Sequence, residues 1–270
     1  MVGLKSHDSR DQHDVVLERK YWDRLADSFS EQVIELAQED LHGVIDEELC
    51  LLAERGSSVV DLGCGPGALI PFLTRRFQSV CAVDFSKPLL EKAEAKHGSA
   101  SVQFIHADLT CPVRPERQFD VTVCSSVLIL KSPLKRRRLL ESVLRFTRPG
   151  GRMLITVPAL ESSIHVYRTL IDLREELGDG NGLSRGQARR LFAREVPSIL
   201  DGNVSIQGVP THHWMREELL GTLKHFHLKV ERERRVEFSW SREIDAAPKH
   251  LGAPYPWDWL VVAKKPRSKK

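Results

Sequence analysis

The feature that most narrows the fold is the stretch Asp61-Leu62-Gly63-Cys64-Gly65-Pro66-Gly67, which closes the β-rich run SVVDL at 58–62. Glycines allow sharp turns and let the backbone come close to a ligand. ALIPFLTRRF follows with helical spacing of its apolar residues. A strand, a glycine loop and a helix in that order open an α/β sheet. The helix aims its free N–H groups at whatever lies in the loop. In open sheets of this kind ligands bind at the carboxyl ends of the strands. A tight strand-to-helix turn needs glycines in any case, so the loop alone also fits a purely structural role.

The rhythm repeats downstream. SVCAVD (79–84) reads as a second strand, followed by a helix from Ser86, a favourable N-cap, to about His97. VQFIHAD (102–108) is a third strand and FDVTVCSS (119–126) a fourth. LKRRRLLESVLRF is a helix with Leu139, Leu140, Val143 and Leu144 inward. After the Pro149-Gly150-Gly151 turn, RMLITVP is a fifth strand. Such alternation implies βαβ units, a parallel sheet and helices on both faces. The first 55 residues read as helices, closed by Gly56.

Residues 159–210 break the alternation. Two helices, around 162–177 and 185–196, flank the turn GDGNG and read as an insertion over the sheet's edge. Then come an amphipathic helix in WMREELLGTLKHF, a long strand of alternating charge in LKVERERRVEFSW, a Pro-rich segment at 246–258 and a last buried strand, LVVA. The tail KKPRSKK reads as disordered.

Composition bounds the partners. Forty Lys and Arg against 37 Asp and Glu give a formal charge of +3, a mixed surface that does not mark a nucleic-acid binder. The absence of an 18-residue apolar stretch argues against a membrane span. The acidic, polar start MVGLKSHDSRDQHDVV resembles neither a secretory signal nor a transit peptide. Cys50, Cys64, Cys81, Cys111 and Cys124 lack CxxC spacing, so no metal site is expected. Four of them lie in or beside apolar runs, and their odd number fits a reducing, cytoplasmic setting.

Acids close the next two strands as well. Asp84 ends strand two, where a carboxylate can accept both ribose hydroxyls, and Asp108 ends strand three, where it can accept from an adenine amino group. Each alone also fits a helix cap or a turn. Gly63–Ala68 satisfies the dinucleotide fingerprint too, with Asp84 near the required distance, so a nicotinamide cofactor is the rival reading. Asp61 entering the loop and the Ala107-Asp108 pair oppose it.

VVDLGCGPG (59–67), VCAVDFS (80–86), FIHADL (104–109), FDVTVCSSVL (119–128) and RPGGRMLITVP (148–158) together resemble the class I S-adenosylmethionine-dependent methyltransferases. The resemblance covers about residues 45–160 and implies a Rossmann-like sheet, mostly parallel with an antiparallel last strand. It implies S-adenosyl-L-methionine as cofactor, with Gly63, Cys64, Gly65 and Gly67 around its methionine part and Asp61 facing its amino group. Asp84 would hold the ribose, Phe85 would lie against the adenine, Asp108 with Leu109 would contact the base edge, and Ser125 would face the methyl.

Expected domains are an N-terminal helical cover (1–55), a cofactor-binding core (56–158), a helical lid insertion (159–210), a C-terminal helix with the last two strands (211–264) and a basic tail (265–270). Acceptor-pocket candidates come from outside the core: Tyr21 and Trp22, then His165 and Tyr167, then His212, His213 and Trp214 opening a helix. Tyr255, Trp257 and Trp259 with Asp258 form a further group. Each also fits plain packing. His165 or His212 is the expected acid–base residue, because an imidazole titrates near neutral pH. The run Lys135-Arg136-Arg137-Arg138 is expected on the outer face of its helix. The segment CSSV lacks the NPPY-type tetrapeptide of amide- and nucleobase-methylating enzymes, which weighs against nucleic acid. The expected activity is methyl transfer to a small-molecule N, O or S nucleophile, with RNA or protein methylation, or non-catalytic cofactor binding, as alternatives. Oligomeric state is left open.

Overall fold

A computed structural model of the chain describes residues 36–54, 57–177, 184–195, 199–206, 209–244 and 247–267. The helical expectation for residues 1–35, with Tyr21 and Trp22, lies outside them, as do Gly56, the GDGNG turn and residues 268–270.

Two helices, α1 (Leu36–Glu39) and α2 (Val44–Leu52), precede the first strand. The alternating core is β1 (Ser58–Leu62), α3 (Ile70–Thr74), β2 (Ser79–Asp84), α4 (Lys87–His97), β3 (Val102–His106), β4 (Phe119–Ser125), α5 (Pro133–Phe146) and β5 (Thr147–Pro158). The insertion holds α6 (Leu160–Leu177), α7 (Arg185–Glu195), β6 (Asn203–Ile206) and β7 (Val209–His212). The chain returns through α8 (Arg216–His225), β8 (Lys229–Glu237) and β9 (Trp257–Lys264).

Seven strands form one sheet in the order β3-β2-β1-β4-β5-β9-β8. The first five run parallel, as helical crossovers require, and β9 is antiparallel to both β5 and β8. Side chains alternate between two cores. Val60, Leu62, Cys124, Ile155 and Val261 meet Leu140 and Val143 of α5 and Leu219 and Leu223 of α8. Val59, Val121, Val123, Leu154, Leu260 and Val262 meet Ile45 and Leu49 of α2 and Leu73 of α3. Burial on both faces explains the nearly continuous apolar strands. Among the described residues no helix is long and apolar enough to cross a membrane.

The structure corrects several expectations. The insertion is not purely helical: β6 and β7 pair antiparallel at its end. Strands of four residues leave too little alternation to read from sequence. His212, His213 and Trp214 therefore do not open a helix. His212 ends β7, Trp214 bridges Ala159, and α8 starts at Arg216. The Pro149-Gly150-Gly151 turn is not a break before β5 but an irregularity within it, since the register jumps between Phe119↔Thr147 and Val121↔Arg152.

Lys135 and Arg136 are buried rather than outward. Arg136 donates to the carbonyls of Leu130 (2.7 Å) and Lys131 (2.8 Å), and its guanidinium lies over the Trp214 ring at 5.5 Å. The basic tail is anchored at its root. The Lys265 ammonium donates to the Leu144 and Thr147 carbonyls, both at 2.8 Å, where the C-terminus of α5 needs cationic partners. Of the five cysteines only Cys64, Cys81 and Cys124 are buried. The charges of β8 are largely matched across the fold: Glu231 with Arg152, Glu233 with Arg216, and Arg232 and Arg234 with Glu48.

Candidate active site

The glycine loop leaves β1 and turns back under β2. Gly63 and Cys64 both donate to the Val83 carbonyl, at 2.7 and 3.0 Å. The turn requires left-handed backbone at Gly63 (φ 76°) and Gly67 (φ 88°). Space excludes a side chain there as well. A β-carbon at Gly63 would overlap Val127, and one at Gly67 would come within 2.8 Å of Ile70 and His97. The glycines are therefore required by the packing of the loop itself, whatever binds against it.

Two carboxylates flank this loop. Asp84 is buried and pins it: one carboxylate oxygen accepts the Gly65 N–H and the other the Ser86 N–H, both at 2.8 Å. Burial raises the Asp84 carboxyl, against the lowering effect of these backbone donors. Asp61 is only 2% exposed, and its Oδ2 has no hydrogen-bond partner. Burial, then the charge of Asp84, pushes its carboxyl up to about 7. A buried acceptor without a donor is costly, so Asp61 awaits a cationic or N–H-bearing group. That is the demand a cofactor amino group would meet. Cys64 is buried as well, and burial next to these acids drives its thiol pKa well up, so it stays a neutral packing residue.

Asp108 lies just past β3, and its Oδ1 accepts from the Thr110 N–H (2.9 Å) and hydroxyl (2.7 Å). Phe85 is half-buried beyond β2, and His106 Nε2 is 2.9 Å from its carbonyl oxygen. Leu109 is corrected in part. Its side chain is buried in the core against α5, and its carbonyl accepts from Ser142 at 2.7 Å, so only its backbone N–H remains to meet a base edge. At the end of β4, Ser125 shares a hydrogen bond of 2.8 Å with Thr156 of β5, and Ser126 takes a positive φ of 55°. The sequence reading passed over Thr156 and Ser126. Thr156 could have been suspected as a polar residue inside the apolar run of β5, whereas nothing local announced Ser126.

The expected acceptor residues scatter. His212 is buried, with Nδ1 at 3.1 Å from the Asp201 carbonyl oxygen and Nε2 at 2.9 Å from Glu218. Both nitrogens are thus committed to structure, which opposes the acid–base role expected of His212. His165 faces the Pro254 carbonyl oxygen (3.0 Å) and packs between Trp240 and Trp257, a second structural setting in place of an acid–base one. Trp214 is a core residue whose indole donates to the Leu128 carbonyl at 2.7 Å. Tyr167 meets the Phe192 edge on α7. His213 is 7% exposed, shares a 3.0 Å hydrogen bond with Ser163, and has an unpartnered Nε2. Burial, then His212, pulls its imidazole down to about 3, so it is neutral.

Comparison with known proteins fits this geometry. Residues 59–151 match the profile of the methyltransferase domain family. The match covers about a third of this chain, which over that stretch is similar to a methyltransferase domain. An uncharacterized methyltransferase of Mycobacterium tuberculosis is 37% identical over 70 residues, or 26% of this chain and 36% of that protein. The chain thus spans about a third of that relative's length. A methyltransferase from Methanosarcina mazei has the same fold (TM-score 0.61, 15% identity, 85% of this chain and 100% of that one). So does magnesium protoporphyrin IX methyltransferase from Synechocystis, solved with bound S-adenosylmethionine (TM-score 0.56, 13% identity, 98% and 99%). In the seven-stranded sheet β9 runs antiparallel to the other strands, between β5 and the edge strand β8.

Proposed function

We propose that this chain transfers a methyl group from S-adenosylmethionine to a small-molecule nucleophile by in-line displacement. The observation that carries the reading is the buried, unpartnered Oδ2 of Asp61 beside a glycine loop that Asp84 already holds in place. In this reading Gly63, Cys64, Gly65 and Gly67 line the methionine part, and Asp61 accepts from its amino group. Asp84 turns its remaining lone pairs to the ribose. Phe85 covers the adenine, while Asp108 and the Leu109 N–H face its edge. Ser125, braced by Thr156, borders the reacting methyl. When bound, the cofactor supplies a methyl already activated by a positive sulfur. The protein's part is then alignment and exclusion of water, which can supply about 7–11 kcal/mol. A neutral amine or thioether needs no general base for the displacement, which suits a cleft whose expected histidines serve structure. Relatives with small acceptors in their names, such as magnesium protoporphyrin IX, support the acceptor class.

The test is calorimetry with S-adenosylhomocysteine and with NAD, followed by labelled-methyl transfer into fractionated metabolite pools. Binding of the first ligand alone and label in a low-mass product are expected. Binding of NAD instead, or label only in protein or RNA, would overturn the reading.

A further inference from the structure

The acceptor side of the cleft holds an acid that the cofactor reading does not use. Asp258 is the second residue of β9, opposite Pro158 of β5 on one side and Val236 of β8 on the other. Because side chains alternate along a strand, Asp258 projects from the same face as Leu260 and Val262. That face also carries Asp61, two residues after Val59, and Ser125, two residues after Val123. Register extends the row. Val123 pairs with Asp61, Ser125 with Thr156, and Thr156 with Leu260. Asp258 therefore stands one side-chain step above the Ser125–Thr156 hydroxyl pair, toward the carboxyl rim of the parallel strands. Two strand spacings separate β4 from β9, or ~10 Å, about the span of a small metabolite.

Asp258 is half-buried, and among the described residues nothing donates a hydrogen bond to its carboxylate. Burial, then the nearby charge of Glu243, pushes its carboxyl up to about 7. The segment between β8 and β9 brings the buried Trp240 and the partly buried Tyr255 into one hydrophobic cluster with Val166 and Leu173 of α6. Such a setting repels a carboxylate acceptor and leaves a partner wanting for a positive N–H donor.

We propose that Asp258 is an acceptor-binding residue and that the acceptor carries an amine, held as ammonium by this carboxylate at the far end of the molecule from the atom that takes the methyl. The proposal rests on the methyltransferase reading. The acceptor's own nucleophile, at the Ser125 end, forms its bond to the methyl carbon as the methyl's C–S bond breaks, and that electron pair stays on sulfur.

The experiment measures the thermal stability of protein saturated with S-adenosylhomocysteine against a library of primary and secondary amines and a matched library of carboxylic acids. Amines are expected to stabilise the wild type. Asp258→Asn is expected to weaken that binding about 10- to 100-fold, the loss of one charged hydrogen bond. Because the carboxyl has no partner in the free protein, Asp258→Asn should keep or raise the melting temperature, and Asp258→Glu should restore part of the amine affinity. Acids stabilising as well as amines, no amine stabilising at all, or Asp258→Asn binding amines like the wild type would each overturn the proposal. Failure of S-adenosylhomocysteine itself to stabilise the wild type would overturn the methyltransferase reading instead.

Discussion

The two halves of the cleft are built on different plans. On the β1–β3 side one short stretch of chain makes almost everything: Asp61, the glycine loop and Asp84 follow one another, and backbone N–H groups bind the acid that pins the loop. On the β4–β9 side each contributor comes from a different segment. Ser125 meets Thr156 across strands, His213 meets Ser163 of α6, and Asp258 arrives at the start of the last strand. The first plan fixes a common cofactor with a rigid backbone. The second can exchange one side chain without disturbing the others, which is how one fold serves many acceptors.

The sharpest break in this comparison should come from Gly63→Val. It puts a branched side chain at positive φ and into Val127, and strain plus overlap should lower stability by about 2–4 kcal/mol and abolish S-adenosylhomocysteine binding. Calorimetry and thermal melts check both effects. Asp84→Ala, which unties the loop and removes the ribose acceptor, should weaken the same ligand by about 10- to 100-fold. Unchanged affinity in a folded Asp84→Ala protein would show that the two halves do not differ as described.

His212→Ala tests the other half. Losing the Glu218 and Asp201 contacts should cost about 1–3 kcal/mol of stability, with S-adenosylhomocysteine affinity unmoved. A loss of turnover with an unchanged melting temperature would restore the catalytic role.

A pH profile sharpens the contrast further. The Asp61 carboxyl sits at about 7 in the native protein against 3.8 for its ordinary value. Between those values the native state holds a proton that the unfolded chain has released, so this group's contribution to stability falls as pH rises. Asp61→Asn should remove that component. The ligand-free wild type should therefore lose more melting temperature than the variant between about pH 5 and 7.5, and saturating S-adenosylhomocysteine should narrow the gap. The smallest effect belongs to the far end of the sheet. Lys265→Gln should cost about 0.5–1 kcal/mol through the C-terminus of α5 and leave cofactor affinity untouched.

The same division explains what the sequence disclosed. The cofactor side is local, so Gly63, Asp84 and the strand ends stand in short motifs, and the resemblance of those motifs to the class I methyltransferases implied their roles. The parallel strands were legible because burial on both faces makes them uniformly apolar. Residues 203–212 were not, since each strand of that hairpin is too short to show a period. Lys135 and Arg136 misled for another reason. Their charges suggest solvent, yet the carbonyls of Leu130 and Lys131 and the face of Trp214 satisfy Arg136 inside. The histidines gave no local clue to their setting, because an imidazole has the same sequence signature whether it moves protons or, as His212 does, joins a β-hairpin to a helix.

Asp84 carries a consequence for kinetics. Its two hydrogen bonds fasten the glycine loop to the start of α4 in the free protein. Little ordering remains to be done when the cofactor arrives, so the entropy lost on association is mostly the ligand's own. Capture should then proceed as a single fast phase governed by diffusion and charge. Untying the loop through Asp84→Asn should slow entry, with a loop-folding step becoming visible in stopped-flow traces.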